Sequence, residues 1–158
     1  MGDPRQRIVK IELDERTVVR RNPDVEHERA VAIFDLLEEN SFTPVGEATG
    51  PYHLHLGIEE NRLVFDIRGE DSAPLQKIQL PLTPFRGIVK DYFTVCESYY
   101  AAIKRSSPSQ IEALDMGRRA VHDEGSELLR ERLDGKIVLD KNTARRLFTL
   151  ICVLHIRG

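Results

Sequence analysis

Three runs in the middle third of the chain constrain its fold more than any other feature. Tyr52, Leu54, Leu56 and Ile58 alternate with His53, His55 and Gly57, and after Glu59-Glu60-Asn61 the alternation resumes with Leu63, Phe65 and Ile67. A turn at Gly69-Glu70-Asp71-Ser72-Ala73-Pro74 follows, and Ile78, Leu80 and Leu82 then alternate with Gln79 and Pro81. Period two interrupted by turn residues reads as strands near 52–58, 62–68 and 75–80 in an antiparallel meander. Pro81, which has no N–H to donate, belongs at an edge or strand end. Such a sheet has one apolar face, and something must cover it.

The covering elements read as helices. Val9, Ile11 and Leu13 first predict one more strand by alternating with Lys10 and Glu12. Asn22-Pro23 then supplies an N-cap and a first-turn proline for a helix over roughly 23–39, with Asp24 and Glu26 at the positive end of its dipole. Residues Thr43 to Pro51 contain two prolines and two glycines and are expected to be a loop. Thr83-Pro84 repeats the cap-and-proline device before a helix whose apolar line is Phe85, Val89, Tyr92, Cys96, Tyr99 and Ile103. Ser107-Pro108-Ser109-Gln110 has the spacing of a capping box. The helix it opens runs toward Gly135, with a break expected near Gly125. Residues 136–139 are a short strand candidate, and Asp140 or Asn142 caps a final segment, Ala144 to Ile156, apolar nearly all round and so expected inside the core. Its β-branched Ile151 and Val153 make a strand the competing assignment.

Strands that follow one another, rather than alternating with helices, favour an α+β domain over a doubly wound sheet. The expected architecture is an antiparallel meander sheet of three to five strands against about four helices. A chain of 158 residues is expected to form one domain, residues 1–158, with residues 1–6 a flexible tail. Leu147 to Ile156 is ten residues long, well short of the roughly 17–25 of a membrane span, and no signal-peptide core is present near residue 1. Cys96 and Cys152 are the only cysteines, which excludes a disulfide framework and fits a reducing cytoplasm. The net charge is −3, and the basic residues fall in scattered pairs, Arg20-Arg21, Arg118-Arg119 and Arg145-Arg146, so a nucleic-acid partner is not expected.

One helix carries an anomaly. Ile111, Leu114, Val121, Leu129 and Leu133 define an apolar side after the Ser107 cap, and Asp115, Arg118 and His122 fall in the middle of it. The spacings i, i+3 and i, i+4 let these three side chains meet, and Gly125 one turn on lets another backbone approach. An acid, a fixed cation and a titratable imidazole would then share a pocket, with Arg119 widening its positive side. A buried ion pair that only fixes helix packing is the competing explanation. His53 and His55 share one face of a strand, a geometry usable by two metal ligands, but two ligands do not make a site and a polar sheet face explains them. Glu26-His27-Glu28-Arg29 reads as a solvated helix start, and Tyr92, Tyr99 and Tyr100 with Phe85 and Phe93 as an aromatic stripe for core packing. No phosphate-cradling loop, nucleophile elbow or activated cysteine is present, and no cofactor is implied.

Five stretches give the chain a likeness: Pro23 to Ala30, Thr83 to Arg86, Cys96 to Tyr100, Asp115 to Arg119 and Thr143 to Leu150. Through them it resembles uncharacterised protein family 0262, a small alphaproteobacterial group. The resemblance runs over nearly everything from residue 22 onward and implies a bacterial, cytoplasmic setting without adding an activity. The expected function is a non-enzymatic domain binding a small anionic ligand or a protein partner through Asp115, Arg118, Arg119 and His122. The alternative is a small enzyme in which His122 is general acid or base beside Asp115 and Arg118. Ala113, Met116, Gly117 and Ala120, opposite the main apolar stripe, would serve a homodimer or be sandwiched within one subunit.

Overall fold

The computed structural model describes residues 5–14, 23–46 and 49–154. Along the chain these form β1 (Ile8–Leu13), α1 (Pro23–Glu38), β2 (Phe42–Pro44), β3 (Tyr52–Glu59), β4 (Arg62–Gly69), β5 (Pro74–Pro81), α2 (Arg86–Arg105), α3 (Pro108–Arg132), β6 (Ile137–Leu139) and α4 (Lys141–Leu154). A single 3-10 turn, Thr83–Phe85, leads into α2. The architecture is α+β.

The four-stranded sheet has the order β1-β3-β4-β5. Strands β3, β4 and β5 form the antiparallel meander that the alternation predicts, with Leu54 opposite Ile67, Leu56 opposite Phe65, and Leu63 opposite Leu80. The expectation of a wholly antiparallel sheet is corrected at one edge, since β1 pairs parallel with β3. The connection explains it. The chain leaves β1, crosses through α1 and the β2 segment, and re-enters the sheet in the same direction, as a parallel pair requires. The alternation in β1 is also broken. A bulge between Ile8 and Lys10 puts Ile8, Ile11 and Leu13 in register with Tyr52, Leu54 and Leu56, while Val9 turns to solvent.

The expected loop at 43–51 begins with a strand. Phe42–Pro44 pairs antiparallel with Ile137–Leu139 in a separate two-stranded ribbon. Pro44 sits at the strand's last position, where its missing donor is tolerated. Gln6, assigned to a flexible tail, accepts from the Tyr52 hydroxyl at 2.6 Å, and its carbonyl accepts from the Phe42 N–H at 2.9 Å.

Helix α4 lies in the middle of the molecule, with every residue from Leu147 to Leu154 buried. The β-branched residues in it do not convert it to a strand, because α1, α3 and the inner face of the sheet surround it and burial outweighs propensity. Asp140 is its cap, accepting from the Thr143 N–H at 2.9 Å. The predicted capping box at Ser107 and Gln110 is present in both directions. Thr83 makes no side-chain cap; α2 starts from the 3-10 turn instead. Asn22 lies outside the described residues. Ile103, placed on the apolar line of α2, is exposed near the end of that helix, and Ile88 and Ala102 are buried instead.

The expected break near Gly125 does not occur, and α3 is continuous over 25 residues. A Cβ built on Gly125 would stand 2.5 Å from Cε1 of Phe148 on α4 and nearer still to two other ring atoms. The glycine is there for close approach between helices rather than to end one.

Candidate functional site

Asn40 fixes the end of α1 against the sheet. Its Oδ1 accepts from the Ile8 N–H at 2.7 Å, and its Nδ2 donates to the carbonyls of Ile8 and Leu36. Arg146 of α4 donates to the Glu39 carbonyl at 3.0 Å, and Thr143 Oγ1 accepts from the Ser41 N–H. These ties hold α1 beside α4, and Gly125 brings α3 up to α4 from another side. A cavity of about 320 Å³ remains between the three helices. Arg118 and His122 from α3, Arg145 and Arg146 from α4, and Glu28 and Asp35 from α1 give it its charge, and Asn142 and Thr149 add neutral polar groups.

Arg118 is the centre of an ionic network. Its Nη2 lies 3.0 Å from Asp115, its Nη1 lies 3.7 Å from Glu28, and its guanidinium carbon lies 4.6 Å from the centre of the Tyr99 ring. Burial works against its charge, but the hydrogen bond it donates to Asp115 and the charges of Glu28 and Asp115 prevail and hold its pKa above the ordinary value. Asp115 is shared, since Arg119 reaches its other oxygen at 2.9 Å. Glu28 receives two phenols as well, Tyr92 at 2.9 Å and Tyr100 at 2.5 Å. Burial and the Glu28 carboxylate push both tyrosine pKa values upward, so these phenols stay protonated donors.

His122 is buried against the edges of Tyr92 and Phe148. Its Nδ1 stands 2.8 Å from the Arg118 carbonyl. A carbonyl only accepts, so Nδ1 carries the proton and Nε2 holds the lone pair in the neutral ring. Desolvation by burial holds the imidazole below its ordinary pKa; the Arg118 carbonyl and Glu28 oppose this, while Arg118 and Arg145 reinforce it.

The four residues singled out on α3 thus divide. Arg118 and His122 line the cavity; Asp115 stands behind Arg118; Arg119, with a side chain 68% exposed, does not line the cavity and braces Asp115. Sequence reasoning missed Glu28, which is not solvated: its side chain is 12% exposed. It stands one turn before Ala32 and two before Leu36, the buried residues of α1, and that i, i+4 line was the signal. The α4 contribution was missed too. Asn142, Arg145, Arg146 and Thr149 recur at i, i+3, i+4 and i+7, a polar stripe on a helix expected to be apolar nearly all round.

His53 and His55 lie on the outer face of β3. His55 Nδ1 is 3.4 Å from Glu12, and His53 Nδ1 is 3.5 Å from the Ser72 hydroxyl. Among the described residues no three metal-capable side chains of His, Cys, Asp or Glu converge. Ala113, Met116 and Ala120 are exposed on α3, so they are not sandwiched within the subunit. Among the described residues no helix is long and apolar enough to cross a membrane.

Fold and site together define a small α+β domain with an arginine-lined, solvent-open cavity between three helices. The chain belongs to the uncharacterised protein family UPF0262, whose model matches residues 5–157. A UPF0262 protein of Paramagnetospirillum magneticum is 66% identical over 154 residues, covering 98% of both chains. One of Rhodospirillum rubrum is 62% identical over 151 residues, covering 96% of this chain and 93% of its own. One of Rhodopseudomonas palustris is 60% identical over 156 residues, covering 99% and 96%. No solved structure matches the chain.

Proposed function

We propose that the cavity between α1, α3 and α4 binds a small anionic ligand. The observation that carries this is the convergence of three guanidiniums, Arg118, Arg145 and Arg146, on one cavity whose wall contains two carboxylates, Glu28 and Asp35, an excess of one positive charge. Guanidinium groups present paired donors that match carboxylate and phosphate oxygens. Its volume of about 320 Å³ equals that of roughly ten waters at ~30 Å³ each, the scale of a small metabolite. Arg145 already holds Asp123 at 3.1 Å and Arg118 holds Asp115, so an anion joins existing pairs rather than meeting bare cations, and its affinity is modest.

Titration with phosphate, sulfate and citrate, followed by calorimetry and by the His122 ring resonances, tests this reading. Saturable binding by at least one anion that shifts His122 and is lost in Arg145→Gln is expected. Failure of all three anions to shift His122 would reject it.

A second reading, proton transfer by His122 to such a ligand, is favoured by its fixed tautomer, with an Nε2 lone pair in an arginine-lined cavity. In that reading Asp115 acts only by holding Arg118. The free, buried Cys96 and Cys152 support a reducing cytoplasmic setting. The exposed Met116 face supports self-association of the chain; a monomer by light scattering at high micromolar concentration would reject it.

A further inference from the structure

We propose that a second cavity, on the other side of Glu28, is a binding site for a small organic ammonium ion. It lies between the first turns of α1 and the middle of α2, has a volume of about 400 Å³, and is walled by Asp24, Glu28 and Glu97 together with Tyr92, Phe93 and Tyr100. Every charged side chain in this wall is a carboxylate, whereas the neighbouring cavity has arginines in excess. Among the described residues neither Asp24 nor Glu97 has an ion-pair or hydrogen-bond partner, whereas Glu28 is paired with Arg118. The N-terminus of α1 opposes a cation with about half a positive charge and Arg118 offsets Glu28, which still leaves the wall negative through Asp24 and Glu97.

The aromatic part of the wall selects the kind of cation. Tyr92 and Tyr100 are held by their hydroxyls on Glu28, and Phe93 packs edge-on to Tyr92 at 5.2 Å, so the rings are fixed before any ligand arrives. A bare metal ion needs oxygen or nitrogen ligands converging on a point, and among the described residues no such group exists. A cation that spreads its charge over carbon-bound groups gains instead from ring faces and distributed carboxylates, as alkylammonium and quaternary ammonium ions do. The same protein already places a guanidinium over the Tyr99 ring.

Binding is tested on the whole protein with tetramethylammonium chloride and n-butylammonium chloride, using sodium chloride as the ionic-strength control. Two of the chain's four tyrosines, Tyr92 and Tyr100, line this wall and there is no tryptophan, so a change there registers in the tyrosine fluorescence. A saturable change with either ammonium ion that sodium does not reproduce is expected. Preference for tetramethylammonium would assign the larger share to the rings, and preference for butylammonium to hydrogen bonds with the carboxylates; both outcomes support the site. Phe93→Leu, which keeps an apolar side chain, should weaken binding by roughly 2- to 30-fold. The exposed Glu97→Gln should weaken it by up to about 5-fold. Arg145→Gln, in the neighbouring cavity, should leave it unchanged, which separates this site from the anion cavity. A response matched by sodium chloride, or one unaffected by both Phe93→Leu and Glu97→Gln, would overturn the proposal.

Discussion

Arg118→Ala should destabilise the protein far more than Arg119→Ala, although the two arginines are adjacent and share a carboxylate. The Arg119 side chain is 68% exposed and its contact is a surface pair, so its loss should cost about 0–1 kcal/mol. The Arg118 side chain is 25% exposed and its partners Asp115 and Glu28 are 20% and 12% exposed. Breaking a fully buried pair costs about 3–5 kcal/mol, and partial exposure and the two phenols left on Glu28 reduce this to about 2–3 kcal/mol. Asp115→Ala should cost less, about 1–2 kcal/mol, because Arg118 keeps Glu28 and Arg119 relaxes into water. The double variant Arg118→Ala with Asp115→Ala should lose less than the sum, since one contact is counted in both single losses. Urea melts of the four variants and the wild type at constant slope measure all of these quantities. Equal losses at 118 and 119, or strict additivity of 115 and 118, would refute the reasoning and reduce the network to a solvated helix face.

Three further outcomes are expected. Gly125→Ala should lower the melting temperature, because displacing the enclosed Phe148 ring costs about 1–3 kcal/mol against about 1 kcal/mol gained in helix propensity; an unchanged or higher value would show that the ring moves freely. Stability should fall as the pH drops below the ordinary histidine value of 6.5, since the unfolded chain takes up a proton there that buried His122 refuses until its own lower pKa is reached. Above 6.5 the His122 contribution is fully present, and a His122→Asn variant whose melts keep the wild-type slope between pH 5 and 7 would exclude it as the cause. Both thiols should be inert to a disulfide reagent at pH 8 until denaturant is added, as burial pushes Cys96 up to about 11 and Cys152 upward as well; fast labelling of the native protein would contradict this.

The meander was legible because each strand has one buried and one wet face, and that asymmetry is written directly into the sequence as period two. Helices α2, α3 and α4 announced themselves through caps or wide apolar stripes. What stayed hidden depended on distant partners. The parallel pairing of β1 follows from where α1 returns the chain, and the pairing of Phe42–Pro44 with Ile137–Leu139 joins segments nearly a hundred positions apart. Neither is encoded in local periodicity. The bulge at Val9 is of the same kind, since only the register of β3 shows which of Ile8 and Val9 must turn inward.

The candidate site was half legible for a related reason. Arg118 and His122 stood out because they interrupt an apolar stripe on a long helix, whereas Glu28 sits near the start of α1, where an acid already has an explanation in the helix dipole. That explanation accounts for Asp24 and Glu26 but not for Glu28, whose line down the helix runs through Ala32 and Leu36 into the core. A carboxylate on a buried line and an arginine on another buried line cannot both remain unpaired, because an isolated buried charge costs several kcal/mol. The Arg118 and Glu28 contact is therefore the pairing that the two helices must find when they close on α4. The cavity is what remains where α4 offers Arg145, Arg146, Asn142 and Thr149, too polar to pack apolar walls together and too well tied to α1 and α3 to move away.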